Sequence, residues 1–270
     1  MTPTPLPTYF ISHGGGPWPW MQEEMQGRYD CLKASLQALP RELALRPKAV
    51  LMISAHWEEA EFTVMSGAQP PMLYDYHGFP EHTYRVVYPA PGAPALAQQV
   101  HGLIEQAGMA AASDGRRGFD HGMFSPMVVL WPGADMPVVQ LSLRRGLDPR
   151  QHLPLGRALA PLRHEGVLII GSGLSYHNLR AFGPAARPAS AAFDAWLQQT
   201  LVDSAPEPRS AGLIRWEDAP AARAAHPREE HLLPLMVALG AAEQEPAACI
   251  YHEDDFLGGV VVSSFRFGAV

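Results

Sequence analysis

The chain has 270 residues, of which 47% are hydrophobic and 17% are charged, and its formal net charge is −7. This composition favours one large folded core and excludes long disordered or coiled-coil stretches. An acidic balance without a basic stripe argues against nucleic-acid binding, and two cysteines, Cys31 and Cys249, are too few for a disulfide framework or a thiolate metal site.

The first half of the chain alternates apolar runs with amphipathic stretches. A strand is predicted over residues 8–12 and a helix over 21–39. The unbroken apolar run at 50–54 is typical of a strand that is covered on both faces. Residues 70–88 are irregular and aromatic, as in loops that line binding sites, and a helix is predicted over 93–107.

The second half continues this alternation. Its predicted elements are a small-residue loop at 118–122, a short helix at 127–131, a strand at 138–143, a helix at 149–164, a strand at 167–171, a helix at 189–203, a polar stretch at 204–227, a helix from about 229 to 240, and a strand at 260–267. Alternating strands and helices predict an α/β fold. We expect a single three-layer catalytic domain over residues 1–270, with a mixed, mostly parallel sheet and helices on both faces.

Four histidines lie where apolar runs begin or end. His13, His56 and His177 follow strand candidates, and His231 opens the apolar stretch 232–239. Because the carboxyl ends of parallel strands meet at one edge of a sheet, we expect these side chains to lie close together. Neutral imidazole is the commonest protein ligand for transition metals, so the sequence predicts a metal site there.

Two assignments stay open at this point. Acidic residues in a first helical turn are expected for the helix dipole, but Glu230 would also complete a set of two histidines and one carboxylate, so spacing does not decide between Glu230 and His231 as a third ligand. His121 is either a turn histidine held by Asp120 or an acid/base or substrate-binding residue. His77, in the aromatic loop, is expected to contact substrate.

Seven short motifs occur in an order that resembles a known family. They are Ser12-His13-Gly14-Gly15-Gly16-Pro17, Ser54-Ala55-His56-Trp57, Tyr76-His77-Gly78-Phe79-Pro80, Tyr88-Pro89-Ala90-Pro91-Gly92, Phe119-Asp120-His121-Gly122, His177-Asn178-Leu179 and Glu230-His231-Leu232-Leu233-Pro234-Leu235. Together they span most of the chain and resemble the class III extradiol ring-cleavage dioxygenases, in the branch that is similar to DOPA-4,5-dioxygenase.

The resemblance implies a catecholic substrate, O2 and a non-haem divalent metal. Fe(II) is the implied active ion, and Zn(II) is an alternative ion in purified protein. His13 and His56 match two metal ligands of the family. His231 matches the third ligand of the DOPA-dioxygenase-like branch, whereas protocatechuate-type relatives use a glutamate, which keeps Glu230 as an alternative.

The resemblance also implies the acid/base and substrate residues. His177 matches an acid/base histidine that becomes a fourth ligand in zinc-loaded members, and His121 matches a second active-site histidine near the substrate. The aromatic rings of Tyr76 and Phe79 are expected to form walls for the catechol ring. No single basic residue stands out as the clamp for a substrate carboxylate; Arg180 is one candidate and Arg85 is another. The identity of the catechol stays open.

Two other functions compete with ring cleavage. One is a zinc hydrolase, in which metal-bound water attacks an ester or amide. The other is a metal-binding or scaffold protein without activity. The start of the sequence lacks the pattern of a secretory signal, and apolar runs are too short for a membrane span, so we expect a cytoplasmic protein without membrane contact, either a monomer or a small homo-oligomer.

Overall fold

The computed structural model describes residues 4–270; the first three residues, which belong to the segment where no export signal is expected, lie outside the described residues. Within 4–270 the strands are β1 (Thr8–Ser12), β2 (Ala49–Glu59), β3 (Phe62–Met65), β4 (Ala111–Asp114), β5 (Val138–Arg144), β6 (Val167–Gly173), β7 (Ala247–Phe256) and β8 (Val260–Phe267). The α-helices are α1 (Gln22–Met25), α2 (Asp30–Glu42), α3 (Pro94–Gln106), α4 (His121–Leu130), α5 (Pro149–Leu159), α6 (Arg187–Leu201), α7 (Pro206–Ile214), α8 (Ala222–Ala225) and α9 (Leu233–Gly240).

The described strands form one sheet, in the order β4-β3-β5-β2-β6-β1-β8-β7. The central strands β5, β2, β6 and β1 run parallel, and β3 and β8 pair antiparallel with them on either side. Every residue of β1 and β6 is buried. Residues 50–54 of β2 are also buried, as their unbroken apolar run predicted. The predicted mixed, mostly parallel α/β fold is confirmed.

Helices cover both faces of the sheet, and β6 shows why. Successive side chains of a strand point to opposite faces. A Cβ at Gly171 would collide with the carbonyl oxygen of Pro234 in α9, and one at Gly173 with the carbonyl oxygen of His231 just before α9, so this segment packs directly on that face. Ser172, between them, donates a hydrogen bond to the carbonyl of Gly122 in α4, which therefore lies on the opposite face.

Several predicted boundaries are wrong for local reasons. The helix predicted over 21–39 is interrupted, because Gln26 and Gly27 adopt left-handed φ angles of 48° and 81°. The short helix predicted at 127–131 begins earlier, at His121, and the polar stretch 204–227 contains α7 and α8. The helix predicted from about 229 begins at Leu233. No helix within the described part of the chain is long and apolar enough to cross a membrane.

Candidate functional site

Five histidine rings converge beside the carboxyl ends of β1, β2 and β6. They are His13, His56, His121, His177 and His231. The Nε2 atom of His56 lies 3.1 Å from Nε2 of His13 and 3.2 Å from Nε2 of His231. The structure thus brings together the four histidines that the strand and helix ends predicted, and with them His121, which the family resemblance had implied as an active-site residue.

A bulge in β2 aims His56 at this cluster. Ile53 pairs with Leu141 and Glu58 with Leu143, so five steps along β2 match two steps along β5. Bulges re-aim side chains and often lie next to active sites. His56 therefore lies inside the strand rather than after it, which the apolar run at 50–54 did not indicate.

The start of α4 packs against this bulge with no room for a side chain. A Cβ at Gly122 would lie 2.8 Å from Oγ of Ser54 and 2.9 Å from Cδ2 of His56. Asp120, just before the helix, does not hold His121. Its buried carboxylate instead accepts hydrogen bonds from Ser54 (2.7 Å) and from two further side chains, Gln140 (2.9 Å) and Arg117 (2.9 Å).

The ring of His13 is oriented by Ser172. The Ser172 hydroxyl donates to the carbonyl of Gly122 at 2.5 Å and therefore accepts from Nδ1 of His13 at 3.1 Å. With its proton on Nδ1, His13 presents an unprotonated Nε2 to the other rings.

Asp75, from the aromatic loop, contacts two of the histidines. Its Oδ1 accepts hydrogen bonds from the backbone N–H and from Nδ1 of His121, both at 2.9 Å. Its Oδ2 lies 3.4 Å from Nδ1 of His56. Although burial raises the pKa of Asp75, the hydrogen bonds from His121 outweigh it and the pKa lies below its usual value. The side chain is therefore a carboxylate that accepts hydrogen bonds from His121 and faces Nδ1 of His56.

Glu230 makes the corresponding contacts on the other side of the cluster. Its Oε1 lies 3.0 Å from Nδ1 of His231 and 3.1 Å from Nδ1 of His177. These two rings stack with centroids 3.3 Å apart and an interplanar angle of 18°. Oε2 lies 3.4 Å from Arg228, which pairs with both carboxylate oxygens of Glu58 at 2.5 Å. Glu230 therefore contacts the Nδ1 sides of the rings.

Burial makes these rings poor proton acceptors in the metal-free protein. Burial, with the neighbouring histidines, lowers the pKa of His13 and of His231 well below the usual value, and it lowers the pKa of His56 to about 3. At neutral pH the three rings are uncharged. Unprotonated nitrogens that face one another in a buried site repel unless a cation lies between them.

The nitrogen spacing fits a divalent metal ion. Two nitrogens that bond a tetrahedral zinc ion at about 2.0–2.1 Å are separated by about 3.3 Å, close to the 3.1 and 3.2 Å between the Nε2 atoms. Two sets of three residues have potential ligand atoms within 4.8 Å of one another: His13, His56 and His121, and His177, Glu230 and His231. The contact between His56 and His231 joins the two sets into one site.

Of the residues predicted to contact substrate, two are aromatic side chains packed beside the histidines and two have exposed side chains. The Tyr76 ring is buried and meets His121 edge-on at 5.9 Å, while its hydroxyl donates to the carbonyl of Thr83 at 2.6 Å. The ring of Phe79 packs edge-on against Tyr76 at 5.3 Å. His77 and Arg180, by contrast, have exposed side chains.

Two residues of the site, Asp75 and Ser172, were not predicted from the sequence. Asp75 lies 46 residues from His121, so no local spacing links the two. The available signal was an acidic residue between two tyrosines in a loop already expected to line a binding site. Ser172 lies between two glycines at the end of β6, and the pleat of that strand turns it toward His13.

Comparisons with known proteins agree on one family. Residues 7–258 match the family described as the catalytic LigB subunit of aromatic ring-opening dioxygenase. The chain is 39% identical to a 4,5-DOPA dioxygenase extradiol from Beta vulgaris, over 96% of each chain. It is 37% identical to a dioxygenase from Hapsidospora irregularis, over 93% of this chain and 82% of that protein. A crystal structure of an uncharacterized protein from Escherichia coli K12 is 29% identical, with a TM-score of 0.76 over 97% of this chain and 100% of that one.

Proposed function

This chain belongs to the LigB family of aromatic ring-opening dioxygenases, in the DOPA-dioxygenase-like branch, and we propose that its substrate is a catechol with an amino-acid side chain like that of DOPA. As a member of this family it is a metal-dependent extradiol dioxygenase that uses O2 and a catechol. The relative from Beta vulgaris, whose name specifies DOPA, supports this choice. The observation that supports metal-dependent ring cleavage at this site is the convergence of three Nε2 atoms beside two further histidines.

We propose His13, His56 and His231 as the metal ligands, each through Nε2, with Fe(II) as the active ion. Two observations support His231 over Glu230. The Nε2 atom of His231 lies 3.2 Å from that of His56, and Glu230 lies on the opposite, Nδ1 side of the His231 ring. When bound, a divalent ion acts as a Lewis acid that lowers the pKa of the catechol hydroxyls.

His177 and His121 are the proposed acid/base residues. A carboxylate holds Nδ1 of each ring, so Nε2 is left to accept a proton from a catechol hydroxyl and to return it when the ring bond breaks. The stack on His231 fixes the plane of His177 beside the ligand set. In the zinc-loaded protein the same position makes His177 a candidate fourth ligand.

The aromatic loop is the proposed wall of the substrate site. The Tyr76 hydroxyl is already bonded to Thr83, so Tyr76 offers its ring and not its hydroxyl to a catechol. Phe79 continues this wall. His77 and Arg180, which are exposed, stay predictions for contacts with the substrate side chain.

The remaining proposals concern the domain organisation, location and assembly of the protein. We propose a single catalytic domain over residues 1–270, because β1 near one end of the chain pairs with β8 near the other in the same sheet. A cytoplasmic location, a monomer or small homo-oligomer, and the absence of a nucleic-acid partner stay predictions.

The proposal is tested by loading the protein with Fe(II) without oxygen and then admitting air in the presence of a panel of catechols. We expect O2 uptake equal to the catechol consumed and a yellow ring-opened semialdehyde, with DOPA turned over ahead of protocatechuate. Protein loaded with redox-inert Zn(II) is the control and should take up no O2. An Fe(II)-loaded protein that takes up no O2 with any catechol would contradict the proposal and favour a hydrolase or a protein without activity.

A further inference from the structure

Two carboxylates of the site repeat one arrangement. Asp75 contacts Nδ1 of His56 and of His121. Glu230 contacts Nδ1 of His231 and of His177. In each case one ring is a proposed metal ligand and the other is a proposed acid/base residue.

We propose that Asp75 and Glu230 are positioning residues with the same role. Each ties one metal-binding histidine to one acid/base histidine, so that the site consists of an Asp75 unit (Asp75, His56, His121) and a Glu230 unit (Glu230, His231, His177) on either side of His13. The inference rests on the proposed function. Partners of this kind fix the tautomer and orientation of a ligating imidazole and raise its basicity.

The two carboxylates use their oxygens differently. Asp75 uses both, Oδ1 for His121 and Oδ2 for His56. Glu230 uses Oε1 for both rings and leaves Oε2 to Arg228, whose side chain is 56% exposed. The same chemical change, from carboxylate to amide, should therefore have different effects at the two positions.

An amide at position 75 cannot serve both rings. It offers one oxygen acceptor and one NH2 donor. The oxygen should stay with His121, which makes two hydrogen bonds of 2.9 Å, and the NH2 group then faces the Nδ1–H of His56. Two donors in contact push the His56 ring away from its ligating position.

An amide at position 230 keeps both ring contacts. Its oxygen takes the place of Oε1 and still accepts from His231 and His177, while its NH2 group faces the solvent-exposed Arg228. If Glu230 were itself a metal ligand, this substitution would instead remove a charged ligand and weaken metal binding strongly.

The test measures Zn(II) affinity by competition with a chelator in four variants. Asp75→Asn should weaken zinc binding by about 10- to 100-fold. Glu230→Gln should weaken it by less than about 5-fold, because its acceptor is kept. Asp135→Asn and Glu81→Gln make the same changes at exposed carboxylates, 61% and 82% exposed, and should leave affinity unchanged. Wild-type zinc affinity in Asp75→Asn, or a larger loss in Glu230→Gln than in Asp75→Asn, would overturn the inference.

A second measurement does not depend on any variant folding. Nitrogen-detected NMR of the imidazoles in the zinc-loaded wild-type protein reports which ring nitrogen carries the proton. We expect Nδ1–H on His56, His121, His177 and His231. A proton on Nε2 of His56 or of His231 would overturn the inference.

Failure of the inference and failure of the proposed function have different signatures. Loss of Fe(II)-dependent ring cleavage in the wild-type protein would contradict the proposed function. Normal wild-type cleavage, together with variants of Asp75 that bind zinc normally, would overturn the positioning role alone.

Discussion

In both the Asp75 unit and the Glu230 unit a carboxylate orients two histidine rings, but the two carboxylates are held in place by different contacts. Asp75 comes from a loop and is fixed by the backbone N–H of His121, the first residue of α4. Glu230 precedes α9 and is fixed through Arg228 to Glu58, two residues beyond His56 on β2. The backbone N–H that holds Asp75 is fixed by α4, whereas the arginine that links Glu230 to Glu58 has a side chain that is 56% exposed. The Asp75 unit should therefore be the half of the site whose metal affinity is more sensitive to substitution.

Loss of a ligand from either unit should have the largest effect. His56→Ala and His231→Ala each remove one of three proposed nitrogen ligands, so zinc affinity should fall by more than the roughly 100-fold that a supporting partner contributes. Zinc content after dialysis measures this directly, and His164→Ala, at an exposed position, is the control. Zinc retention by His231→Ala, with loss in Glu230→Ala, would reverse the ligand assignment.

Removal of the acid/base histidine of each unit should abolish most catalytic turnover without loss of the metal. His121→Ala and His177→Ala should keep the metal, because neither ring belongs to the proposed ligand set of the iron form. Each should lose about 10²- to 10⁴-fold in kcat, the usual contribution of a general acid/base group. The measurement is kcat for Fe(II)-loaded protein at confirmed metal content. Normal turnover by His177→Ala would end its catalytic assignment.

Acid should destabilise the metal-free protein. Burial lowers the pKa of His56 to about 3 and lowers that of His231 well below its usual value, so the native state excludes protons that the unfolded chain binds near pH 6.5. The free energy of unfolding should therefore fall as pH drops from about 6.5 toward 4, by up to about 1.4 kcal/mol per pH unit for each histidine. Urea melts at several pH values measure this slope, and His56→Gln should reduce it. If the free energy of unfolding had the same pH dependence in the wild-type protein and in His56→Gln, a lowered pKa of His56 in the native state would be contradicted.

The smallest effect on zinc affinity is expected for Arg228, which links Glu230 to Glu58. Arg228→Gln breaks the chain from Glu58 to Glu230, but the arginine is 56% exposed and exposed ion pairs contribute at most about 1 kcal/mol. Zinc affinity should change by less than about 5-fold. Arg46→Gln, which breaks an exposed pair with Asp135, is the matched control. A loss as large as that of Asp75→Asn would mean that Glu230 depends on its ion pair.

The sequence predicts the centre of the fold better than its edges. The apolar runs of β1, β5 and β6 mark buried parallel strands because both of their faces are covered. The short β4 is only half-buried, and β7 carries exposed acidic residues at a sheet edge, so neither has the apolar pattern that predicts a strand.

Some residues of the site are predictable from the sequence and others are not. Residues at strand ends, such as His13, are predictable because the topology of a parallel sheet brings those ends together. The position of His56 within a bulge depends on how β2 pairs with β5, which no periodicity encodes. Asp75 reaches His121 only because the aromatic loop folds back over α4.

The most direct test is a crystal structure of the zinc-loaded protein, with the metal located by anomalous scattering. We expect Nε2 of His13, His56 and His231 at about 2.0–2.1 Å from the ion, with Asp75 and Glu230 on the Nδ1 sides of the rings. A carboxylate oxygen of Glu230 bonded to the ion, or His121 in the place of His231, would contradict it.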